Sequence, residues 1–428
     1  MPSPLVGKCR LPIKQSMSGN RDLKADVVIA GGGMVGLPLG IALASAGIET
    51  AVIDAADPVD VVNASFDGRV SSFAPASKRL LGAIGVWDLV APEAEPVLDI
   101  VVGDGSVREG ASPALLHFDH RDAGPDPLAH MIENRHFRIA LEQRARGLEK
   151  LRIIAPAKVS GARAEAGRTF VATDDGTTIS AQLCIAADGR DSPLRKKAGI
   201  NTIGWPYRQN GIVATIEHEL PHRGVAHELF LEAGPFAILP MKGNRSSIVW
   251  SEQEARAEKF MGLDDRAFMT EVRQRFGDQW GETKLVGPRW SYPLTMQIAT
   301  TYLSPRLALV GDAAHAVHPL AGQGLNLGLR DVAALAEVIV ESKRLGLDVG
   351  LAPNLAAYEA WRRFDNALFA FSMDGLNRLF SNSVPPVQAL RRLGLDLVDS
   401  IQPLKTLFMR QASGEFGAMP RLLKGQPL

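Results

Sequence analysis

Only two cysteines, Cys9 and Cys184, occur in 428 residues. That is too few for a disulfide framework or a thiolate metal cluster. Cys184 lies inside the apolar run LCIAA, where a thiol serves as a small core residue. This sparing use fits a reducing compartment, and the cytoplasm is the expected location. Net charge is also missing: 47 Lys and Arg balance 47 Asp and Glu. No global field therefore draws the chain to nucleic acid or to an anionic membrane. No window reaches the roughly 18 consecutive apolar residues of a membrane-spanning helix, so peripheral contact is the only membrane association expected. There is no internal repeat and no low-complexity run. Residues 1–21 are basic and proline-containing, without an apolar stretch of secretory length. They are expected to form a disordered leader, with Met17 as an alternative start. What remains is 46% hydrophobic, enough for a large core shared between two lobes.

The first structured feature is ADVVIA, residues 25–30, an apolar run rich in β-branched residues that reads as a buried parallel strand. It leads directly into GGGMVGLPLGIALASAGI. Gly31, Gly33 and Gly36 hold the G-x-G-x-x-G spacing, a helical pattern follows, and a second strand, ETAVID, ends at Asp54, eighteen residues beyond Gly36. This strand–turn–helix–strand–acid order is the dinucleotide fingerprint. The glycines permit a tight turn and close approach of backbone to a pyrophosphate. The helix N-terminus offers N–H groups and a positive dipole end, and Asp54 can accept hydrogen bonds from an adenosine ribose. The fingerprint specifies an ADP moiety and does not by itself choose between NAD and FAD.

Three later segments extend the pattern. In DGRVSSFAPAS, Arg69 precedes an amphipathic helix and is either a surface arginine or a cation beside a diphosphate or ribityl chain. In AQLCIAADGRDSPLRKKAGI, an apolar strand ends at Asp188-Gly189, followed by a turn and a short basic helix; Asp188 can cap that turn locally. In RLALVGDAAHAVHPLAGQGLNLGLRD, Gly311-Asp312 ends a strand and a glycine loop opens a helix from about Gly324 to Val340. Gly322 and Gly324 remove side chains, so a flat ring could lie on the backbone. Gln323 and Asn326 add amide donors and acceptors. A helix N-terminus there favours negative charge on a reduced ring. His315 and His318 lack carboxylates at ligand spacing other than Asp312, and they read as structural, with no metal expected.

With these residues in hand, the chain resembles the aromatic hydroxylase flavoproteins of the p-hydroxybenzoate hydroxylase fold. Gly31-x-Gly33-x-x-Gly36, Asp188-Gly189 and Gly311-Asp312 match their three signatures in order. HPLAGQGLNLGLRD is more specific and resembles the signature of the ubiquinone-biosynthesis hydroxylases of the UbiH and UbiF type. IENRHFRIAL, GPFAILP, RWSYPL and the C-terminal RRFDNALFAFSMDGLNRLF also match, so the resemblance runs from about Ala25 to Gly414. Asp54 stands where this family more often has glutamate, which shortens the reach to the ribose.

The resemblance implies FAD as cofactor and NAD(P)H as electron donor, with a partner reductase left open. Gly31, Gly33, Gly36 and Asp54 would hold the ADP half. Arg135 would contact the cofactor chain. Asp188 and Gly189 would serve FAD and the nicotinamide donor, and Asp312 the ribityl or pyrophosphate region. Pro319, Gly322, Gln323, Gly324, Leu325 and Asn326 would lie along or above the isoalloxazine. Arg69 would sit near the flavin, with a structural salt bridge as the equal alternative. The implied reaction is hydroxylation of a polyprenyl-phenol in ubiquinone synthesis by a flavin C4a-hydroperoxide formed with O2. A hydroxylase of a soluble aromatic, and a non-catalytic flavoprotein subunit of a ubiquinone-biosynthesis complex, stand as alternatives. No catalytic base is named: His227, Tyr207 and Tyr292 read as packed or surface residues.

The expected architecture is α/β. A discontinuous Rossmann-like FAD-binding domain spans 22–95, 130–200 and 300–345. An antiparallel-sheet substrate domain spans 96–129 and 201–299, with strands expected in NGIVATIEHEL, AHELFLEAG, FAILPMKG and SSIVWSE and a helix from about Asp264 to Phe276, and a helical C-terminal extension spans 346–428. In the extension, VQALRRLGLDLVDSIQPLKTLFMRQASG is apolar at helical spacing with a basic opposite face. It either packs on the FAD domain or meets a partner or the inner membrane surface, where a polyprenylated substrate resides.

Overall fold

Four short runs, VVIA, TAVI, LCIA and LAL, are buried along their whole length, as strands covered on both faces must be. They are the centre of a six-stranded sheet. Its order is Leu151–Ile154, Thr50–Ile53, Val27–Ala30, Leu183–Ala186, Leu307–Leu309 and Leu303–Ser304. All pairs are parallel except the last. The computed structural model describes residues 22–106, 110–111, 116–122, 124–277, 279–380, 409, 413–415 and 417–428. The expected leader and most of VQALRRLGLDLVDSIQPLKTLFMRQASG lie outside the described residues.

The fingerprint helix is Gly36–Ser45 and the helix after the glycine loop is Gly324–Arg344, one turn longer than its apolar pattern predicts. They touch each other and join the core of the parallel sheet, together with Val171, Ile179 and Ala181 of a separate four-stranded sheet. A small three-stranded sheet pairs Val70–Phe73 and Glu95–Val97 with Ala129–Glu133.

The second lobe is a nine-stranded sheet. The four predicted strands are present as Thr202–His218, Val225–Leu231, Gly234–Met241 and Arg245–Gln253. The expected helix is Asp265–Phe276, capped by the Asp264 side chain on the Ala267 N–H. Three features depart from the sequence reading. The sheet is mixed, because Val225–Leu231 pairs in parallel with Asp99–Ser106. An extra helix, Glu254–Met261, follows directly on a strand. A seventeen-residue strand, Thr283–Ala299, runs through Gly287, Pro288 and Pro293. Prolines and glycines ordinarily end a strand, but here the pairing with Thr202–His218 shifts register twice, between Pro206 and Asn210 and between Val213 and Thr215. Such irregularities accommodate residues that cannot continue a regular ladder.

Side chains alternate across this sheet. Ile212, Phe236, Ile248 and Trp250 pack under the two helices with Phe260 and Phe268, while the opposite face looks toward the cofactor-type lobe. The long helix Ala352–Phe380 bridges the lobes. Its Tyr358 hydroxyl donates to Leu309 O at 2.7 Å, its Ala370 packs on Met296 and Ile298, and its Phe380 ring stacks on Phe230 at 3.8 Å. Among the described residues, no helix is long and apolar enough to cross a membrane.

Candidate active site

The glycines of the first loop divide by what a side chain would meet. Gly31 has φ +103°, and a Cβ there would lie 2.2 Å from Ala187 O; one on Gly36 would lie 1.9 Å from Gly31 O. These two are required by the protein's own turn. Gly33 is different: a Cβ there would meet nothing within 4 Å. The same is true of Gly189 and Gly324. The following helix has no capping side chain and no acid in its first turn, so its positive end is not satisfied locally. Asp54 lies against this loop, where a Cβ on Gly32 would be 2.7 Å from its Oδ2, and its Oδ1 accepts from the Ala56 N–H at 2.9 Å.

Asp188 follows the neighbouring strand. Its Oδ2 accepts from the Leu194 N–H at 3.2 Å, whereas its Oδ1 is buried with no hydrogen-bond partner among the described residues. A buried carboxylate oxygen left bare is costly unless something else binds it. Arg195 is buried beside it and donates to Ala313 O at 2.8 Å and Arg190 O at 2.9 Å. This clamps the Asp188 turn to the Gly311–Ala313 turn. Asp312 in the latter is open to solvent, yet surrounding protein pushes its carboxyl above the usual range, partly offset by His315 and Arg190. Accessible and enclosed together describe a side chain on the floor of a cleft.

Val35 ties two of the motifs to the helix after the glycine loop. A Cβ on Gly311 would lie 3.1 Å from its side chain and one on Gly328 would lie 2.7 Å from it. The first loop, the Gly-Asp turn and the Gly324–Arg344 helix therefore meet at one point. Above it, Pro319 leads into a short turn, Leu320–Gly322, with Gly322 at φ +61° and a Cβ there 3.2 Å from Ser72 Cβ. Gln323 and Leu325 are half-buried in the same loop, Leu325 against the core.

The Asn326 amide, expected as a donor and acceptor for a ring, is spent on the protein. Its Oδ1 accepts from the Ala74 N–H and Ser77 Oγ, and its Nδ2 donates to Ser72 O. It fastens the glycine loop to the Val70–Phe73 strand and leaves only its backbone to a ligand. Arg69 pairs with Asp67 at 2.6 Å and lies over the Trp290 ring, the geometry of the salt-bridge alternative. Arg135 pairs with Glu133 at 2.7 Å and lies over Phe66. Both stand at one end of the Val70–Phe73 and Ala129–Glu133 pair, where the Asn134 N–H donates to Arg69 O.

A buried ionic cluster behind the cleft was not foreseen. Asp331 is fully buried. Its Oδ2 accepts from the Gly311 N–H at 3.1 Å and pairs with His315 Nε2 at 2.5 Å. Its Oδ1 accepts from Arg362 Nε at 2.9 Å and Asn366 Nδ2 at 3.1 Å. Burial alone would raise this carboxyl; His315 and Arg362 outweigh it and hold Asp331 at about 2. The available signal was an acid flanked at helical spacing by Leu327, Gly328, Ala334 and Leu335, with Arg362 and Asn366 four apart in RRFDN. His318 is buried too. Its Nδ1 accepts from the Leu320 N–H, its Nε2 has no partner among the described residues, and burial pushes it down to about 4. Its ring meets Tyr207 edge-on at 5.1 Å, and the Tyr207 hydroxyl faces Asp374 without closing a hydrogen bond. His227 turns away from the cleft onto Trp280, and Tyr292 is exposed. Cys184 is buried, its thiol pushed up to about 12. Among the described residues, no group of three or more His, Cys, Asp or Glu could hold a metal ion.

A family model described as an FAD binding domain matches residues 24–344, and one described as squalene epoxidase matches residues 291–401. Ubiquinone hydroxylase UbiL of Rhodospirillum rubrum is 48% identical over 415 residues, covering 96% of this chain and 95% of the relative. The chain belongs to the FAD-dependent ubiquinone-biosynthesis hydroxylases. Another relative in that family, 3-demethoxyubiquinol 3-hydroxylase of Escherichia coli, is 33% identical over 391 residues, 91% of this chain and 98% of the relative. The hydroxylase fold is shared with p-nitrophenol 4-monooxygenase PnpA from Pseudomonas putida DLL-E4. That likeness has a TM-score of 0.73 at 18% identity, over 92% of this chain and 99% of that one. The cleft suits FAD. The bare Asp188 Oδ1, the open space at Gly33, Gly189 and Gly324, and the enclosed Asp312 leave room and polar partners for a dinucleotide.

Two measurements test this site. Gly33→Val should leave apoprotein melting near wild type but weaken FAD binding at least ~10-fold, about 1.4 kcal/mol. Gly36→Ala should lower the melting temperature itself, since its Cβ would collide with Gly31 O. Asp331→Ala removes the buried acceptor of His315 and leaves Arg362 only Asp365 and Asn366, and should cost about 3–5 kcal/mol in urea unfolding. In the wild type, the depressed Asp331 carboxyl contributes stability that is fully present above its unfolded value of about 3.9. That contribution is lost as pH falls through about 2.

Proposed function

We propose that this hydroxylase adds one oxygen atom from O2 to the aromatic ring of a polyprenyl-phenol in ubiquinone synthesis, with FAD as cofactor and a nicotinamide as hydride donor. The observation that carries the reading is the meeting of the first glycine loop, the Gly311-Asp312 turn and the Gly324–Arg344 helix at Val35, with Leu320 of the glycine loop packed on the substrate-lobe sheet. The hydroxylase names of the relatives support the reaction class.

Gly31, Gly33, Gly36 and the uncapped helix behind them would receive the pyrophosphate, and Asp54 the adenosine ribose. Asp188 and Asp312 would accept hydroxyl groups of the cofactor chain, Asp188 through its bare Oδ1. Gly189 leaves space beside it for the nicotinamide. The backbone of Gly322, Gln323, Gly324, Leu325 and Asn326, roofed by Pro319, would floor the flavin ring. Arg135 and Arg69 would flank it only by sharing or leaving Glu133 and Asp67. FAD, when bound, supplies hydride acceptance and O2 activation. The chain's task is to orient the phenol and exclude water, and the apolar wall of Val102, Phe230, Leu320 and Phe380 serves both.

Exposed Phe364, Leu368 and Phe371 recur at helical spacing on the bridging helix and support a peripheral contact with the inner membrane, where a polyprenylated substrate resides. A partner subunit of the biosynthetic complex would use the same stripe.

Purified protein should be yellow, release FAD on denaturation and consume NAD(P)H and O2 when given a polyprenyl-phenol. Deletion of the gene should accumulate an intermediate one hydroxyl short, read by mass spectrometry. A colourless protein that takes up no FAD would overturn the reading. Full complementation by Asp312→Ala without bound flavin would assign the chain a non-catalytic role instead.

A further inference from the structure

Glu228 is the one acid in the middle of the Val225–Leu231 strand. Strand alternation sets its direction. His227, Leu229 and Leu231 point to the helix-covered face, where His227 meets Trp280 and the two leucines join that core. Ala226 and Phe230, two residues to either side of Glu228, point the other way. Ala226 packs with Met131 and Val70 of the cofactor lobe, and Phe230 packs with Leu320 of the glycine loop. Glu228 therefore projects between those two contacts. It shares that face with Val102, its partner on the neighbouring strand, which packs with Phe230, Leu320 and Phe380.

The surroundings of the carboxyl are apolar. Its cross-strand neighbours are Val102 on one side and Ala237 on the other. No hydrogen bond or ion pair reaches it among the described residues. It keeps partial contact with solvent although protein encloses it. No charged group on a neighbouring strand, on the bridging helix or in the glycine loop offsets the effect of burial, which pushes the carboxyl up to about 7. A carboxyl in that range suits proton transfer at neutral pH. His318 does not compete for this role, because its free Nε2 is sealed from solvent.

We infer that Glu228 is the catalytic base that takes the phenolic proton of the substrate. This rests on the aromatic hydroxylation proposed above. The O–H bond of the phenol breaks, an O–H bond forms on the Glu228 carboxylate, and the electron pair left on oxygen enriches the ring carbons ortho and para to it. One of these would form a C–O bond to the electrophilic oxygen that FAD, hydride and O2 supply, as the O–O bond breaks and its electron pair leaves on the second oxygen atom. That atom takes up a proton from solvent and ends as water; the ring carbon loses its C–H proton to solvent, and Glu228 returns its own proton to the phenolic oxygen.

The experiment uses holoenzyme and the intermediate that accumulates in the deletion strain, extracted and supplied in detergent micelles. Wild-type hydroxylation should fall as pH drops through about 7, because the base must be ionised. Glu228→Gln should bind FAD and accept hydride normally but hydroxylate roughly 10²-fold more slowly, without the acid limb. Glu228→Asp should keep the limb at an intermediate rate. An infrared carboxyl band that titrates near neutrality in wild type and is absent from Glu228→Gln reads the group without turnover. A Glu228→Gln enzyme with normal rate and intact limb overturns the inference, as does loss of FAD in that variant or a band titrating in the ordinary carboxylate range. If wild type binds FAD but hydroxylates nothing, the proposed reaction fails while the infrared titration still decides Glu228.

Discussion

Asp331 is a fully buried carboxylate on which the turn at Gly311 and the bridging helix both depend. A carboxylate with no solvent contact costs several kcal/mol unless its oxygens are fully engaged, and here four donors from three elements engage them. The Gly311 N–H is one of the four, so the turn that presents Asp312 is held by the same ion. Arg362 and Asn366 are two more, which couples the bridging helix to the turn. The Gly311–Ala313 turn and the bridging helix therefore share one buried charge. Replacing Asp331 would cut all four bonds at once, and this makes the turn and helix a stiff frame.

Around that frame, the glycines perform two separate tasks. Gly31, Gly36 and Gly311 are small because protein presses on them from the next strand, the loop itself or Val35. Gly33 and Gly324 face open space, so no contact within the protein requires them to be small, and Gly189 faces open space as well but also adopts φ +87°. One spacing pattern in the chain thus encodes both a turn and a cradle. Asn326 follows the same logic in reverse: its amide is consumed in anchoring the loop, which leaves only backbone there to meet a ligand.

The two lobes divide the chemistry. The parallel sheet and its loops hold the acids Asp54, Asp188 and Asp312, whereas Glu228 stands in the facing sheet between Val102 and Ala237. An isolated acid between such neighbours keeps its proton near neutrality and can exchange it, while the same residue beside an arginine would remain a fixed anion. Asp67 and Glu133, each paired with an arginine at the cleft's edge, illustrate that contrast.

The amino-acid sequence by itself determined the parallel strands, the glycine turns and the acids that follow them. These depend on neighbours a few residues apart: unbroken apolar runs, positions where only glycine fits, and an acid at a strand end. The Asp265–Phe276 helix was legible from its local pattern for the same reason. What only the tertiary structure decided involves distant pairing. The Thr283–Ala299 strand survives its prolines because a partner strand shifts register around them. The parallel pairing of Asp99–Ser106 with Val225–Leu231 has no local signature. Asp331 acquired its cations from segments sixteen and thirty-one residues away. Glu228 faces the cleft because strand pairing fixes which alternate side chains turn inward, and a single-residue slip would have sent His227 there instead.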